Sequence, residues 1–289
     1  MPDKLDLKVR EYFMKAKGLY DDTRSDYVNI LITGAHGSGK TECIATAPKP
    51  IQLDCFDTGG TETAALQPLI KSGDLIVTDF SGDDWKNPKE FNRWDKTMQE
   101  RINMGFFNHI GTFAVDSATN WVIFLMHEIM RVGIPQQKVG GYTGGTPHKA
   151  HYLQQQLKAA NILRGIIMPL PCHTIFTAHI HKAQDGITGG FVASLLMWGK
   201  IATQFPILFD ERYIMQVKQD VYKLQVHGDG FYDAGTRIGG KGKFDKLMEP
   251  DIRALLKKAG KSWQDKPRLF TAEEYQEYRK DKEDGQPTG

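Results

Sequence analysis

Eight consecutive residues of this chain have the types and order that chemistry on phosphate groups requires. Gly34-Ala35-His36-Gly37-Ser38-Gly39-Lys40-Thr41 fits the pattern G-x-x-x-x-G-K-[ST] at every specified position. Glycines at 34, 37 and 39 let backbone N–H groups turn inward around a β-phosphate. A helix beginning at Lys40 adds the positive end of its dipole, with Glu42 in its first turn. Lys40 has the reach of the β- and γ-phosphates, and the Thr41 hydroxyl can ligate Mg²⁺. The bland alternative is a glycine turn before a helix. An apolar run before the glycines and a helix start after them favour a nucleoside triphosphate site.

Such a site needs a second acid for the metal and a group that orients or deprotonates water. Asp116 closes the apolar run Thr112–Asp116 and, in a parallel sheet, faces the crevice of the phosphate loop, where it would hold Mg²⁺ through water. It could also cap the helix that begins at Ser117, its candidate partner. Asp57, in IQLDCFDTGG, is the preferred base and Asp54 the fallback; either could instead serve a cap or an Asx-turn. His179 ends the run TIFTAH beside the expected phosphate loop, where a polar side chain can sense the γ-phosphate. Cys172, His173, His179 and His181 raise a zinc reading, but no fourth ligand has ordinary spacing, and strand alternation separates Cys172 from His173. Arg237, in AGTRIGGKGKF, is a candidate arginine finger toward a neighbouring subunit's nucleotide. Together with Lys241 and Lys243 it could equally meet nucleic-acid phosphate or solvent.

Strands are expected at Tyr27–Thr33, Ile51–Phe56, Leu75–Phe80, Thr112–Asp116 and His173–His179. Helices are expected over 5–20, Lys40–Ala47, Pro88–Phe107, Ser117–Val132 and His151–Met168. Gly133–His148 and 181–206 read as glycine-containing loops. Arg212–Val217 and Val221–Val226 read as a hairpin joined near Gln219-Asp220. Pro250–Lys258 and Thr271–Asp284 read as helices, the second opened by a capping box of Thr271 and Glu274. This alternation gives an α/β fold, a mainly parallel sheet flanked by helices with a C-terminal hairpin and a charged helical tail. The division is one domain over 1–260 and a tail over 261–289.

The 289 residues carry 37 Lys+Arg against 35 Asp+Glu, a net charge of +2 that conceals an asymmetry. Between Glu128 and Asp185 there is no acid, while Arg131, Lys138, Lys149, Lys158, Arg164 and Lys182 make the stretch +6 and leave the remainder −4. That is either a solvated basic face or a surface that meets phosphates. Lys138, Lys149 and Lys182 are candidate contacts to nucleic-acid phosphate, with Tyr142 available to stack on a base. Three cysteines without CxxC spacing point to reduced thiols, and no apolar run approaches the ~20 residues of a membrane span. No signal-peptide core opens the chain, so a soluble intracellular, cytoplasmic protein is expected.

GAHGSGKT, LDCFDTGG, FAVDSATNW, IFTAHIHK and GTRIGGKGKF, taken together, resemble the phage-encoded RecA/KaiC-like P-loop nucleotide-binding proteins over roughly residues 25–260. The resemblance implies a RecA-like core that binds and hydrolyses ATP with Mg²⁺, assembles as a homo-oligomeric ring or filament, and binds single-stranded DNA to promote annealing or recombination. A single-strand-binding protein is a further partner of that kind, and the host cytoplasm the setting. It also implies that His179 couples nucleotide to DNA loops, which map to about 133–149 and 182–200. The sequence departs from the family at the usual catalytic Glu, here Asp, and shows no clear K-x-R finger. Rival readings are a nucleotide-switched packaging or assembly ATPase and a small-molecule kinase, though no Arg-rich lid is present.

Overall fold

The computed structural model describes residues 4–18, 26–132, 147–184, 189–271 and 273–278. Its strands are β1 (Asn29–Gly34), β2 (Ile51–Cys55), β3 (Leu75–Asp79), β4 (Thr112–Asp116), β5 (His173–Gln184), β6 (Phe191–Leu195), β7 (Glu211–Lys218), β8 (Val221–Gln225), β9 (Gly235–Thr236) and β10 (Leu247–Met248). They form one sheet in the order β10-β8-β7-β1-β5-β4-β2-β3, with β6 added to β5 and β9 to β7. From β7 through β3 all pairings are parallel, and β8, β10, β6 and β9 join antiparallel.

Parallel strands buried on both faces need apolar side chains in both directions. Leu31, Phe113, Val115 and Phe176 point into one core, and their neighbours Ile30, Ile32, Ala114 and Ile175 into the other. The helices are α1 (Lys4–Gly18), α2 (Lys40–Ile44), α3 (Gln67–Ser72), α4 (Glu90–Asn103), α5 (Ala118–Val132), α6 (Lys149–Ile162), α7 (Ile201–Gln204), α8 (Gly240–Lys243) and α9 (Ile252–Ala259). Helices α4, α5 and α6 cover the first core through Phe91, Trp94, Trp121, Leu125 and Ile162. Helices α2 and α9 cover the second through Cys43, Ile44, Ile252, Leu255 and Leu256. No described helix is long and apolar enough to cross a membrane. The three cysteines are buried and unpaired, and burial pushes each thiol up to about 12.

Several boundaries differ from the sequence reading. The described residues of 181–206 are largely not loop: β5 runs on to Gln184, β6 (Phe191–Leu195) pairs antiparallel with it, and α7 follows. The polar and small residues of that hairpin hide its alternation, because much of it stands clear of the core. The expected helix over 151–168 begins earlier, where His148 and His151 form a capping box, and turns into a π-helix at Leu163–Ile167. The hairpin at 212–226 turns at Gln219 and Asp220, both at positive φ. Asp251, not Pro250, caps α9, and Gly260 ends it at φ 74°. Residues 261–271, assigned to the tail, run along the base of the core. There Asp265 accepts from the Lys49 N–H at 2.7 Å and Arg268 pairs with Asp74 at 2.6 Å. The Thr271–Glu274 capping box forms as expected.

Candidate nucleotide site

Strand register fixes where the functional side chains meet. Gly34 lies level with His179 on β5 and with Met215 on β7, and Cys55 on β2 lies level with Asp116 on β4. The carboxyl ends of β1, β5, β4 and β2 therefore open on one crevice, lined by residues 36–42, Asp57, Asp116, His179 and Tyr222 among others. At Gly34 a Cβ would stand 2.5 Å from Ser38 Oγ and 2.9 Å from the Met215 carbonyl, so only glycine fits where the loop closes on β7. Gly39 has φ 84°, the left-handed conformation that glycine adopts without strain, and passes directly into α2. His36 is exposed at the loop's crest, its ring 6.1 Å from that of His179.

Lys40 is buried, and its Nζ donates to the carbonyls of Gly34 at 3.2 Å and Ala35 at 2.8 Å. Burial lowers its pKa, and the charges of Asp116 and Asp57 oppose that shift. Lys40 Nζ also stands 3.4 Å from His179 Nδ1, and His179 Nε2 stands 3.1 Å from Asp57 Oδ2. An ammonium can only donate, so Nδ1 accepts and the ring proton rests on Nε2, where it is donated to the carboxylate. The partners thus assign one neutral tautomer to His179 and join Lys40 to Asp57 through it. The His179 backbone N–H donates to Thr119 Oγ1 at 3.0 Å, which fixes the strand end against α5.

Asp57 follows the end of β2 and is anchored on every side. Its N–H and that of Phe56 donate to the Asp116 carbonyl at 3.2 and 2.6 Å. Ser117 Oγ and Asn120 Nδ2 both donate to Asp57 Oδ1, each at 2.7 Å. Burial alone would raise this carboxyl's pKa, but the hydrogen bonds from His179 and Ser117 outweigh it and hold Asp57 below its ordinary value. Ser117, expected beside Asp116, serves Asp57 instead. Asn120, Thr119 and Thr177 join the site without belonging to any motif in the sequence. The first two could have been found as polar residues in the opening turn of α5, three and four places after Asp116.

Asp116 is buried at the end of β4, where Thr41 Oγ1 donates to its Oδ2 at 2.6 Å and Thr177 to its Oδ1. Burial raises its pKa, against the pull of those two hydroxyls. The paired hydroxyl and carboxylate of Thr41 and Asp116 are the oxygen donors that a hard cation such as Mg²⁺ takes.

Asp54 does not reach the crevice. It is fully buried on the opposite face of β2, where Arg101 Nη1 donates to both its oxygens at 2.9 Å. Trp94 Nε1 and Gln52 Nε2 complete its shell, each at 2.9 Å. The fallback base is a structural ion pair. Arg101→Ala leaves that carboxylate buried without its cation and is expected to cost about 3 kcal/mol or more, read as an earlier midpoint in urea unfolding. His173 is likewise structural. Its Nδ1 accepts from the Val28 N–H at 3.2 Å, its Nε2 contacts the Ser262 carbonyl at 2.8 Å, and burial lowers its pKa to about 4. It lies at the far end of β5 from His179. Cys172 and His173 stand at the start of β5, six to nine residues along the strand from His179 and His181, and among the described residues no group of three His, Cys, Asp or Glu is placed to hold a metal.

Arg237 lies away from this crevice, beside the start of β7, with its guanidinium 2.9 Å from Asp210 and its side chain 69% exposed. Lys149 is exposed at the start of α6, and Lys182 is exposed on β5. Lys138 and Tyr142 lie outside the described residues.

A glycine-rich loop between strand and helix, a carboxylate beside its threonine, and a second acid just past the end of β2 define a P-loop nucleoside triphosphatase. A family model described as an AAA domain (AAA_24) matches residues 26–238, and the chain belongs to that family of ATPases. It is similar to the solved structure of "a prototypical ATPase from the type III secretion system of pathogenic bacteria". That likeness is 14% in identity with a TM-score of 0.40, covering 65% of this chain and 52% of the other. It is also similar to the assembled type III secretion ATPase EscN of enteropathogenic E. coli, again at 14% identity. There the TM-score is 0.41, covering 66% of this chain and 43% of the other. The chain thus spans about half the length of these two structures. No curated protein matches the sequence.

Proposed function

We propose that this ATPase is a RecA-like protein of the phage-encoded kind that uses Mg²⁺-ATP to drive the annealing or pairing of single-stranded DNA. The observation that carries this reading is the course of β5. The strand runs from His179, between Lys40 and Asp57, directly into the exposed β5–β6 hairpin. There Lys182 Nζ lies 3.9 Å from the centre of the Phe191 ring, which is 56% exposed, and Trp198 beyond β6 is 53% exposed. Cations interleaved with open aromatic faces suit a single strand, whose phosphates pair with charge and whose bases stack. A Cβ at Gly199 would stand 3.9 Å from the Tyr152 ring, so the start of α6, with Lys149, borders the same surface.

In this reading Thr41 holds Mg²⁺ directly and Asp116 holds it through water, Lys40 binds the β- and γ-phosphates, and Asp57 positions the attacking water. His179 registers the γ-phosphate and passes its presence along β5. Arg237 is too far from its own crevice to act there, so as a finger it would serve the next subunit of a ring or filament, after leaving Asp210. The ATPase domain takes in the described residues through 271, whose last stretch packs on the core. It works in the cytoplasm, and a single-strand-binding protein is a fitting partner.

The test is ATP turnover with and without single-stranded DNA, followed by binding at several salt concentrations. Turnover is expected to rise with DNA. Replacing both Lys149 and Lys182 with alanine should weaken binding for all sequences alike. It should also flatten the slope of log affinity against log salt by about 1.4, near 0.7 for each phosphate no longer neutralised. ATP turnover indifferent to DNA, with an unchanged salt slope in the double variant, would overturn the DNA reading and favour an assembly ATPase.

A further inference from the structure

The strand order gives the crevice a direction. Asp57 just past the end of β2, Asp116 closing β4 and His179 on β5 all stand on one side of β1, and they gather where a γ-phosphate must lie to be cleaved. A triphosphate held by the loop with its γ end toward Asp57 and His179 must extend its nucleoside away from them. That direction leads toward β7 and β8, on the other side of β1.

Tyr222 stands on that side of the crevice. It is the second residue of β8 and pairs with Val217 of β7. Its ring lies against the phosphate loop, where a Cβ built on Gly39 would come 3.1 Å from Tyr222 Cδ1 and 3.4 Å from Met215 Cε. The residue is 39% exposed and contributes to the wall of the same crevice as Lys40 and Thr41. Its position is firm, because the two-residue turn at Gln219 and Asp220 fixes the register of β7 with β8, and Leu224 on the same face is buried in the core. A flat, partly open ring beside the phosphate loop has no use for phosphate charge but suits the face of a heterocyclic base.

We infer that Tyr222 is the base-facing wall of the nucleotide site and packs against the nucleobase of the bound triphosphate. The inference rests on the phosphate-loop reading and adds the end of the ligand that the sequence motif does not specify. Because every base has a π-face, the contact gives affinity with little choice between purines.

The experiment compares two ligands, ATP and inorganic tripolyphosphate, each with Mg²⁺, binding to the full chain by calorimetry. Tyr222→Ala should weaken ATP about tenfold and leave tripolyphosphate unchanged, since only ATP carries a base. Tyr222→Phe should bind both as the parent does. Lys40→Ala should weaken both ligands, because it acts on phosphate. Equal losses of both ligands in Tyr222→Ala would show that the ring merely shapes the loop, and undiminished ATP affinity would show that it touches no base. Either result overturns the inference while leaving the phosphate site intact. A Lys40→Ala variant that bound both ligands normally would instead remove the phosphate-loop reading, and this inference with it.

Discussion

Lys40→Ala is expected to reduce ATP hydrolysis by at least about a hundredfold, the scale on which removing a single preorganised charge or donor at a developing anion slows reaction. Lys40 would bring a buried ammonium to the β- and γ-phosphates, in a crevice whose lining otherwise carries the carboxylates Glu42, Asp57 and Asp116. Its removal leaves those acids facing an anionic ligand with one cation fewer, so both binding and turnover should fall. The fold should survive, because the partners that Lys40 leaves behind, the carbonyls of Gly34 and Ala35 and the His179 ring, lie at the phosphate loop and crevice and belong to neither apolar core. Turnover measured beside thermal unfolding separates the two effects. A variant with the parent rate would remove the phosphate-loop assignment, and a variant that failed to fold would give Lys40 a structural role that its contacts do not suggest.

The parts of the site carried by one continuous stretch of chain were legible in the sequence. The phosphate loop needs only its own eight residues and the elements on either side, and Asp116 announces itself as a carboxylate closing an apolar strand. Choosing between Asp54 and Asp57 was harder, because strand alternation and burial decide it. Residue 54 lies within β2, on the face packed against α4, and only the position of Arg101 forty-seven residues later shows that its carboxylate is already paired. Sequence adjacency pairs Ser117 with Asp116, but the carboxyl ends of β2 and β4 must be brought level before Asp57 comes within its reach. The β5–β6 hairpin escaped for a different reason. Before Leu195 its residues are half-exposed or exposed without regular alternation, so the hydrophobic pattern that marks a buried strand is missing there. Tyr222 lay within a hairpin that was read correctly, yet nothing along the chain relates β8 to a loop about 180 residues earlier. Sheet order alone does that.

Asp57→Asn should slow hydrolysis by about 10²–10⁴-fold while leaving ATP affinity close to that of the parent. The asymmetry of the carboxylate's contacts explains why so small a change should be so costly. Oδ1 accepts from both Ser117 and Asn120, so the substituted amide must keep its oxygen on that side and turn its NH₂ toward His179. There the amide would meet the ring proton on Nε2, donor against donor. Moving that proton to Nδ1 would relieve the clash but would set an N–H against the Lys40 ammonium 3.4 Å away. Neither tautomer of the neutral ring can satisfy both neighbours, so the link from Lys40 to residue 57 breaks at one end or the other. The base and the positioning of His179 are lost together. It follows that His179→Ala should cost little further activity in the Asp57→Asn background, although it lowers turnover on its own. Pre-steady-state hydrolysis of ATP by the two single variants and the double variant measures this directly. Additive losses would mean that Asp57 and His179 act independently, and an Asp57→Asn enzyme with the parent's hydrolytic rate would require the water to be oriented by another group.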